Sequence, residues 1–422
     1  MIVIIALSLL LACTNTNISD PITDHKEDTN LQDQENLSPD DYEEPDESDE
    51  SDDPNEPDDS DEHEELQEPD EPIDPVSVKI EDILNSMTLH EKVCQMLIIT
   101  LDSVTGVTGT TIAGDITKEA LDRFPVGGVI HFGPNITSGD QITLLNSTLQ
   151  EISTIPLLIA VDEEGGRVAR LRHSIRAHTI NAMLTYENEG PEKAFENALI
   201  LSDALKTHGF NTNFAPVADV WSNRANTVIG NRAFSTDFEI AADLVAAAVQ
   251  GFNTGDIACS LKHFPGHGDT REDSHYSSAY LNKTLSELRD REFLPFVAGI
   301  AAGAHMVMTG HLIVPEIDEL PATLSKTLLT DILRDELGFT GVIITDSLAM
   351  NAVSRNFTVE YIAVIAINAG VDILLMPASV EDTVNAIIEA TQNSEITLER
   401  INESVRRIIK LKISIGLIEI SE

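Results

Sequence analysis

Positive charge, cysteine and long apolar runs are all scarce in this chain. Lys and Arg number 26 against 72 Asp and Glu, a formal net charge of −46 at pH 7. Such acidity disfavours binding to a phosphate backbone and argues against a nucleic-acid partner. Three cysteines leave room for one disulfide at most. The N-terminal apolar run, Ile2–Ala12, is too short to span a bilayer, which takes about 20 residues. At 422 residues the chain exceeds an average domain and fits one large barrel with an extension.

The uncharged run Ile2–Ala12, closed by Cys13, has the length and character of the apolar core of a secretory signal. Leu10-Leu11-Ala12-Cys13 resembles a bacterial lipobox. That resemblance implies residues 1–13 as a lipoprotein-type signal and Cys13 as the lipidated residue. The protein would then be anchored on the outer side of a bacterial cell membrane. A plain cleaved signal or an unprocessed N-terminus is the alternative. Residues 14–77 hold 27 acidic residues and a single basic one, Lys26. Almost nothing there is apolar, so a disordered acidic linker of Asp, Glu, Pro and Ser is expected. It accounts for about −26 of the net charge and leaves about −20 for the rest. At about 3.3–3.6 Å per residue, some 60 residues reach at most roughly 200 Å, enough to work within a thick wall layer. Cys94 and Cys259 lie in apolar contexts and read as buried free thiols, a disulfide being the alternative in an exported protein.

From residue 78 to 422 short apolar runs alternate with helix-length amphipathic segments. The runs are Met96–Thr100, Gly128–Phe132, Leu157–Asp162, Asn213–Ala218, Ile257–His263, His305–Thr309, Val342–Asp346 and Asp372–Met376. Eight β/α alternations predict a TIM-type (β/α)8 barrel as a single catalytic domain, with a doubly wound open sheet as runner-up. A barrel puts its chemistry at strand C-terminal ends. Asp162, Lys262, His263, His311 and Asp346 each end or follow an apolar run.

The densest polar stretch is Lys262-His263-Phe264-Pro265-Gly266-His267-Gly268-Asp269-Thr270-Arg271-Glu272-Asp273-Ser274-His275. Proline and glycine predict an irregular loop after a strand. Asp273 and His275 are two residues apart, so in extended chain their side chains share a side. A carboxylate accepting from an imidazole fixes its tautomer and raises its basicity, which suits proton transfer. A polar turn and a metal site at His263, His267 and His275 are the competing readings. Against the metal site, Pro265 and Gly266 interrupt the i,i+4 spacing of the first two histidines. Two further stretches follow strands. Asp162-Glu163-Glu164-Gly165-Gly166-Arg167-Val168-Ala169-Arg170 allows backbone close to a ligand, and a phosphate loop is weaker because no Gly-Lys-Ser/Thr follows. Thr340–Met350 delivers Asp346 to a strand end, where capping the next helix is its plain structural role.

The long stretch resembles the Lys-His-Phe-Pro-Gly-His-Gly-x4-Asp-Ser-His signature of the β-N-acetylglucosaminidases of glycoside hydrolase family 3, and matches every fixed position. The resemblance implies His275 as general acid/base and Asp273 as its partner. Asp162-x-Glu-Gly-Gly-Arg-Val-x-Arg170 is similar to the family's sugar-holding motif, Ile229-Gly230-Asn231-Arg232 to its Ile-Gly-x-Arg segment, and Thr345-Asp346-Ser347-Leu348-Ala349-Met350 to its nucleophile setting. These imply Asp162, Arg170, Arg232, Lys262 and His263 as substrate-binding residues and Asp346 as nucleophile. Glu164 and Arg167 are left out of the substrate-binding set, since a structural ion pair is an equal reading for them. The resemblance covers about residues 80–417. Many family members carry a second domain that supplies a glutamate acid/base; none is expected here, so the acid/base is expected from the barrel itself, in agreement with a histidine. No metal or organic cofactor is implied. The resemblance, together with export, implies peptidoglycan fragments as substrate. Phosphorolysis, an inactive wall-binding scaffold and a broader β-glucosidase or β-xylosidase are the rival readings.

Overall fold

The apolar runs become parallel strands in a computed structural model that describes residues 74–172, 174–175, 180–271 and 278–420. They are β1 Leu97–Ile99, β2 Gly128–His131, β3 Leu158–Val161, β4 Thr212–Asn213, β5 Ala258–Phe264, β6 Met306–Thr309, β7 Val342–Thr345 and β8 Leu374–Leu375. From β1 to β7 each pairs with the next in the chain, and β8 pairs with β1. The last seam, between β7 and β8, is bridged at Ile344 and Ile373. There Ile373 N–H donates to the Ile343 carbonyl and Thr345 N–H to the Ile373 carbonyl, both at 3.0 Å. The sheet therefore runs round into a barrel and has the (β/α)8 architecture, not that of an open doubly wound sheet.

The strands are buried along their whole length in β1, β2, β3 and β5. Parallel strands covered by helices face apolar surroundings on both sides, so they read as continuous apolar runs. The covering helices are amphipathic and capped. Asp237 accepts from Glu239 N–H and Ile240 N–H to start Phe238–Thr254. Thr397 accepts from Arg400 N–H to start Leu398–Ser414, which buries Ile401, Val405, Ile408 and Ile409 on one face. Among the described residues no helix is long and apolar enough to cross a membrane.

One expected strand is much shorter than its run. Asn213–Ala218 keeps regular pairing only at Thr212–Asn213, then regains a single bridge at Val217 with Lys262. Pro216 lies between, and proline has no N–H to give to a ladder. The thiols of Cys94 and Cys259 are free and buried, so the two do not form a disulfide, and burial pushes both up to about 12.

Before the strands begin, at the N-terminal end of the barrel, two charges are buried. Asp372 is fully buried and receives Arg334, Arg400 at 3.4 Å, Arg407 at 3.1 Å and the Ser404 hydroxyl at 2.7 Å. Lys412 is also fully buried, yet among the described residues it donates only to Gln95 Oε1, at 2.7 Å. Burial pushes its ammonium down to about 7, against an ordinary 10.5. The unfolded chain keeps this proton up to its ordinary value, so folding expels it between about pH 7 and 10.5, and stability rises with pH across that window. In urea melts from pH 7 to 9, wild type is expected to gain on Lys412→Met by up to about 1.4 kcal/mol per pH unit. A difference that stays constant with pH would show that the lysine is folded in with its ordinary affinity for protons.

Candidate active site

The site is built at the opposite end, where β3, β5 and β7 finish. After β3 the chain turns through a hairpin in which Glu163–Gly165 pairs antiparallel with Val168–Ala169. Gly165 and Gly166 sit at φ +90° and +59°, and a Cβ on Gly166 would lie 2.7 Å from Ala182 Cα, so the turn requires glycine. Alternation along this extended stretch sends Asp162 and Glu164 one way and Glu163 the other. Glu163 accepts Arg170 N–H at 2.6 Å and Leu171 N–H at 3.0 Å. Burial nevertheless pushes its carboxyl up to about 7, against the lowering by those N–H groups.

Lys262, on β5, is only 2% exposed. Its ammonium donates to Asp162 Oδ1 at 2.8 Å and contacts Glu164 Oε1 at 2.6 Å. Glu164 also takes a two-pronged grip from Arg232, Nε and one terminal nitrogen each at 2.8 Å. Arg170 reaches Asp162 Oδ2 at 3.7 Å and stacks over the Phe132 ring at 5.6 Å. Burial works against the Glu164 charge, but Arg232 and Lys262 outweigh it and hold the carboxyl well below the usual range. Burial likewise opposes the Lys262 charge, and Asp162 and Glu164 outweigh it and raise the ammonium above its ordinary value. The Arg170 Nε–H is buried and, among the described residues, has no acceptor.

His263 is the next residue along β5. Neighbours on a regular strand face opposite ways, but the pairing of β5 with β6 shifts register between Lys262 and Phe264. That irregularity lets both Lys262 and His263 line the same cleft. The His263 ring is held from behind, its Nδ1 lying 2.7 Å from Asp219 Oδ2. Asp219 is fully buried, and its other oxygen accepts His263 N–H at 3.1 Å and His267 N–H at 2.6 Å.

Asp346 follows β7 and is half-buried. Its Oδ1 accepts Ser347 N–H at 2.7 Å, and its own N–H donates to the Thr309 carbonyl at 3.0 Å. It does not cap the next helix, Asn351–Ser354, whose preceding residue is Met350. His311 stands behind this turn, with Nδ1 2.8 Å from Thr323 Oγ1 and Nε2 2.9 Å from the Ser347 carbonyl. It therefore steadies the residue beside Asp346.

Asp162, Arg170, Arg232, Lys262, His263 and Asp346 all line one cleft of about 660 Å³, with Phe132, Met308, Met350 and Met376 as apolar walls. So six expected site residues meet in one place. Asp273, His275 and Cys13 lie outside the described residues. The ion pair read between Glu164 and Arg167 is replaced by another arrangement. Glu164 pairs with Arg232 and Lys262, and Arg167 donates to the backbone carbonyls of Thr227, Val228 and Ile229. Glu164, set aside in the sequence reading, is thus central, and its two-residue spacing from Asp162 was the available signal. Asp219 was missed although it too follows an apolar run, Asn213–Ala218. His263 and His267 have ring centroids 5.9 Å apart, edge to face, but Asp219 and Thr270 occupy their Nδ1 atoms. Among the described residues no group of three or more His, Cys, Asp or Glu is arranged to hold a metal ion.

Residues 88–411 match the model of the glycosyl hydrolase family 3 N terminal domain. The chain belongs to glycosyl hydrolase family 3. A beta-hexosaminidase of Stenotrophomonas maltophilia (strain K279a) is 37% identical over 300 residues, covering 69% of this chain and 89% of its own. Beta-hexosaminidase A of Pseudoalteromonas piscicida is 35% identical over 333 residues, and there the match takes in 72% of this chain but 56% of the relative. A solved family 3 β-N-acetylglucosaminidase from Paenibacillus sp. str. FPU-7 superposes with a TM-score of 0.74 at 36% identity, over 79% of this chain and 63% of that one. The chain thus spans little more than half the length of some relatives and most of others.

In this family 3 barrel the Lys262, Glu164 and Arg232 contacts form a buried network, and removing one charge strands the rest. Glu164→Gln is expected to cost about 3–5 kcal/mol in urea unfolding. The exposed Lys118–Asp122 pair, 2.6 Å apart, is the control, and Asp122→Asn should leave the midpoint near wild type. Equal midpoints for the two variants would show that the network is not needed for folding.

Proposed function

We propose that this barrel is a retaining, exo-acting β-N-acetylglucosaminidase. The observation that carries the reading is that Asp346 and the cationic Arg170 line one cleft, and that among the described residues the Arg170 Nε–H has no hydrogen-bond partner. An acceptor-only carboxylate and a buried cationic donor suit a neutral sugar with hydroxyl and acetamido groups. Asp162, Arg170, Arg232, Lys262 and His263 bind those groups. His275, oriented by Asp273, gives its proton to the leaving oxygen as the glycosidic bond breaks. Asp346 attacks the anomeric carbon and forms a glycosyl ester. His275 then takes a proton from water, which attacks the same carbon and releases Asp346.

Two finer features belong to the same reading. The substrates are peptidoglycan fragments with a terminal N-acetylglucosamine on a muramyl sugar. Cys13 carries a lipid, and the acidic residues 14–77 space the barrel from the membrane.

The test is hydrolysis of paired chromogenic β-N-acetylglucosaminide and β-glucoside substrates, with and without phosphate. Cleavage of the acetamido sugar alone, lowered about 10³-fold or more in Asp346→Asn with folding intact, is the expected result. Full activity in that variant would remove Asp346 from its role, and a sugar phosphate product would make the enzyme a phosphorylase. The anchor has its own test. Radiolabelled fatty acid should enter the protein and be lost in Cys13→Ala, and an unlabelled wild type would leave a plain cleaved signal or an unprocessed N-terminus.

A further inference from the structure

His263 faces two ways. Its Nδ1 lies 2.7 Å from Oδ2 of the fully buried Asp219, while the His263 side chain keeps 9% exposure and lines the cleft. The two ring nitrogens point away from one another, so the Nε2 edge is the one turned to the cleft. The other Asp219 oxygen accepts His263 N–H at 3.1 Å and His267 N–H at 2.6 Å. Burial opposes the Asp219 charge, and His263 and His267 outweigh it and hold the carboxyl below its ordinary value. An ionised carboxylate only accepts. The proton between it and the ring therefore sits on Nδ1, and the neutral ring is left with a lone pair on Nε2.

That lone pair matters because of what lines the cleft beside it. Lys262, Arg170 and Arg232 are donors only. Asp162 Oδ1 is already met by Lys262 at 2.8 Å, and Glu164 is met by Lys262 at 2.6 Å and by two nitrogens of Arg232 at 2.8 Å. A sugar hydroxyl can accept from these cations, but it also has a proton to place. His263 Nε2 offers that proton a neutral acceptor, and a buried donor left without one is costly.

We propose that Asp219 fixes the tautomer of His263, so that Nε2 accepts the proton of one sugar hydroxyl and the cleft rejects a sugar that cannot supply it. Asp219 is a positioning residue, acting through the ring that touches the sugar. The hydroxyl contact rests on the glycosidase reading, and the tautomer does not.

The test has two arms, both on the full chain. The first is the nitrogen-15 spectrum of histidine-labelled protein without substrate, at alkaline pH where the ring is neutral, with His263→Phe identifying the His263 signals by their loss. Wild type is expected to show a protonated Nδ1 and an unprotonated Nε2. In Asp219→Asn the amide oxygen keeps the two backbone N–H groups and the amide NH2 faces the ring, so the proton is expected on Nε2. An unprotonated Nδ1 in wild type overturns the proposal, whether or not the variant folds. The second arm compares kcat/KM for the 2,4-dinitrophenyl β-N-acetylglucosaminide with its 3-, 4- and 6-deoxyfluoro forms, since fluorine in place of a hydroxyl has no proton to give. One of the three is expected to fall about 10–10²-fold further in wild type than in Asp219→Asn. The pull of fluorine on the reacting carbon is the same in both enzymes and cancels in the comparison. Equal losses in the two enzymes at all three positions would overturn the hydroxyl contact. His263→Phe supplies the same comparison should Asp219→Asn fail to fold. Turnover of none of the glycosides would remove the glycosidase reading alone, and the first arm would still decide the tautomer.

Discussion

A lysine with almost no access to water holds the catalytic end of this barrel together. Taking an ammonium out of water costs several kcal/mol even after relaxation, and the cost is offset only by close, well-placed partners. Lys262 has two, Asp162 and Glu164, at 2.8 and 2.6 Å. Both come from the turn after β3, and Glu164 is itself gripped by Arg232 from the loop after β4. The loops after β3 and β4 are therefore tied to one buried charge on the next strand, β5. None of these groups can leave without exposing the others unpaired, so the cleft is shaped before any substrate arrives, as a site that must hold hydroxyls in fixed directions requires.

That dependence explains which parts of the molecule were legible in the sequence. The barrel was, because eight apolar runs buried on both faces leave a pattern that does not depend on details of pairing. The cleft was largely legible too, since Asp162, Lys262, His263 and Asp346 sit where a barrel puts its chemistry, and the family likeness added Arg170 and Arg232. Pairwise contacts were not. Glu164 and Arg167 are close in the chain and of opposite sign, which is the usual reason to pair them. Glu164 instead faces inward with Asp162 because the hairpin is extended, and it meets partners about 70 and 100 residues away.

Local irregularity was the other blind spot. The Lys262–His263 adjacency would separate the two side chains in a regular strand, and only the register shift beside β6 brings both to the cleft. Pro216 cuts β4 short for a reason visible in the sequence, yet where the chain resumes pairing, at Val217, depends on the neighbouring strand. Asp219 belongs to the same class. Its position after an apolar run was readable, but its partners are a ring and two backbone N–H groups on a different loop, and nothing in the local sequence announces them.

The two ends of the barrel use the same chemistry to opposite effect. Asp372, before β8, is enclosed by Arg334, Arg400 and Arg407 and by the Ile343 N–H. Every oxygen is spoken for by the protein, and the cluster only fastens helices to the barrel floor. At the other end Asp162, Glu164 and Lys262 are as closely paired, but their shell is incomplete. Among the described residues the Arg170 Nε–H has no acceptor, and Asp346 stands half-exposed on the cleft wall. A buried polar cluster that satisfies itself stabilises the fold, and one whose charged groups also line an open cleft keeps a place for a ligand to complete it.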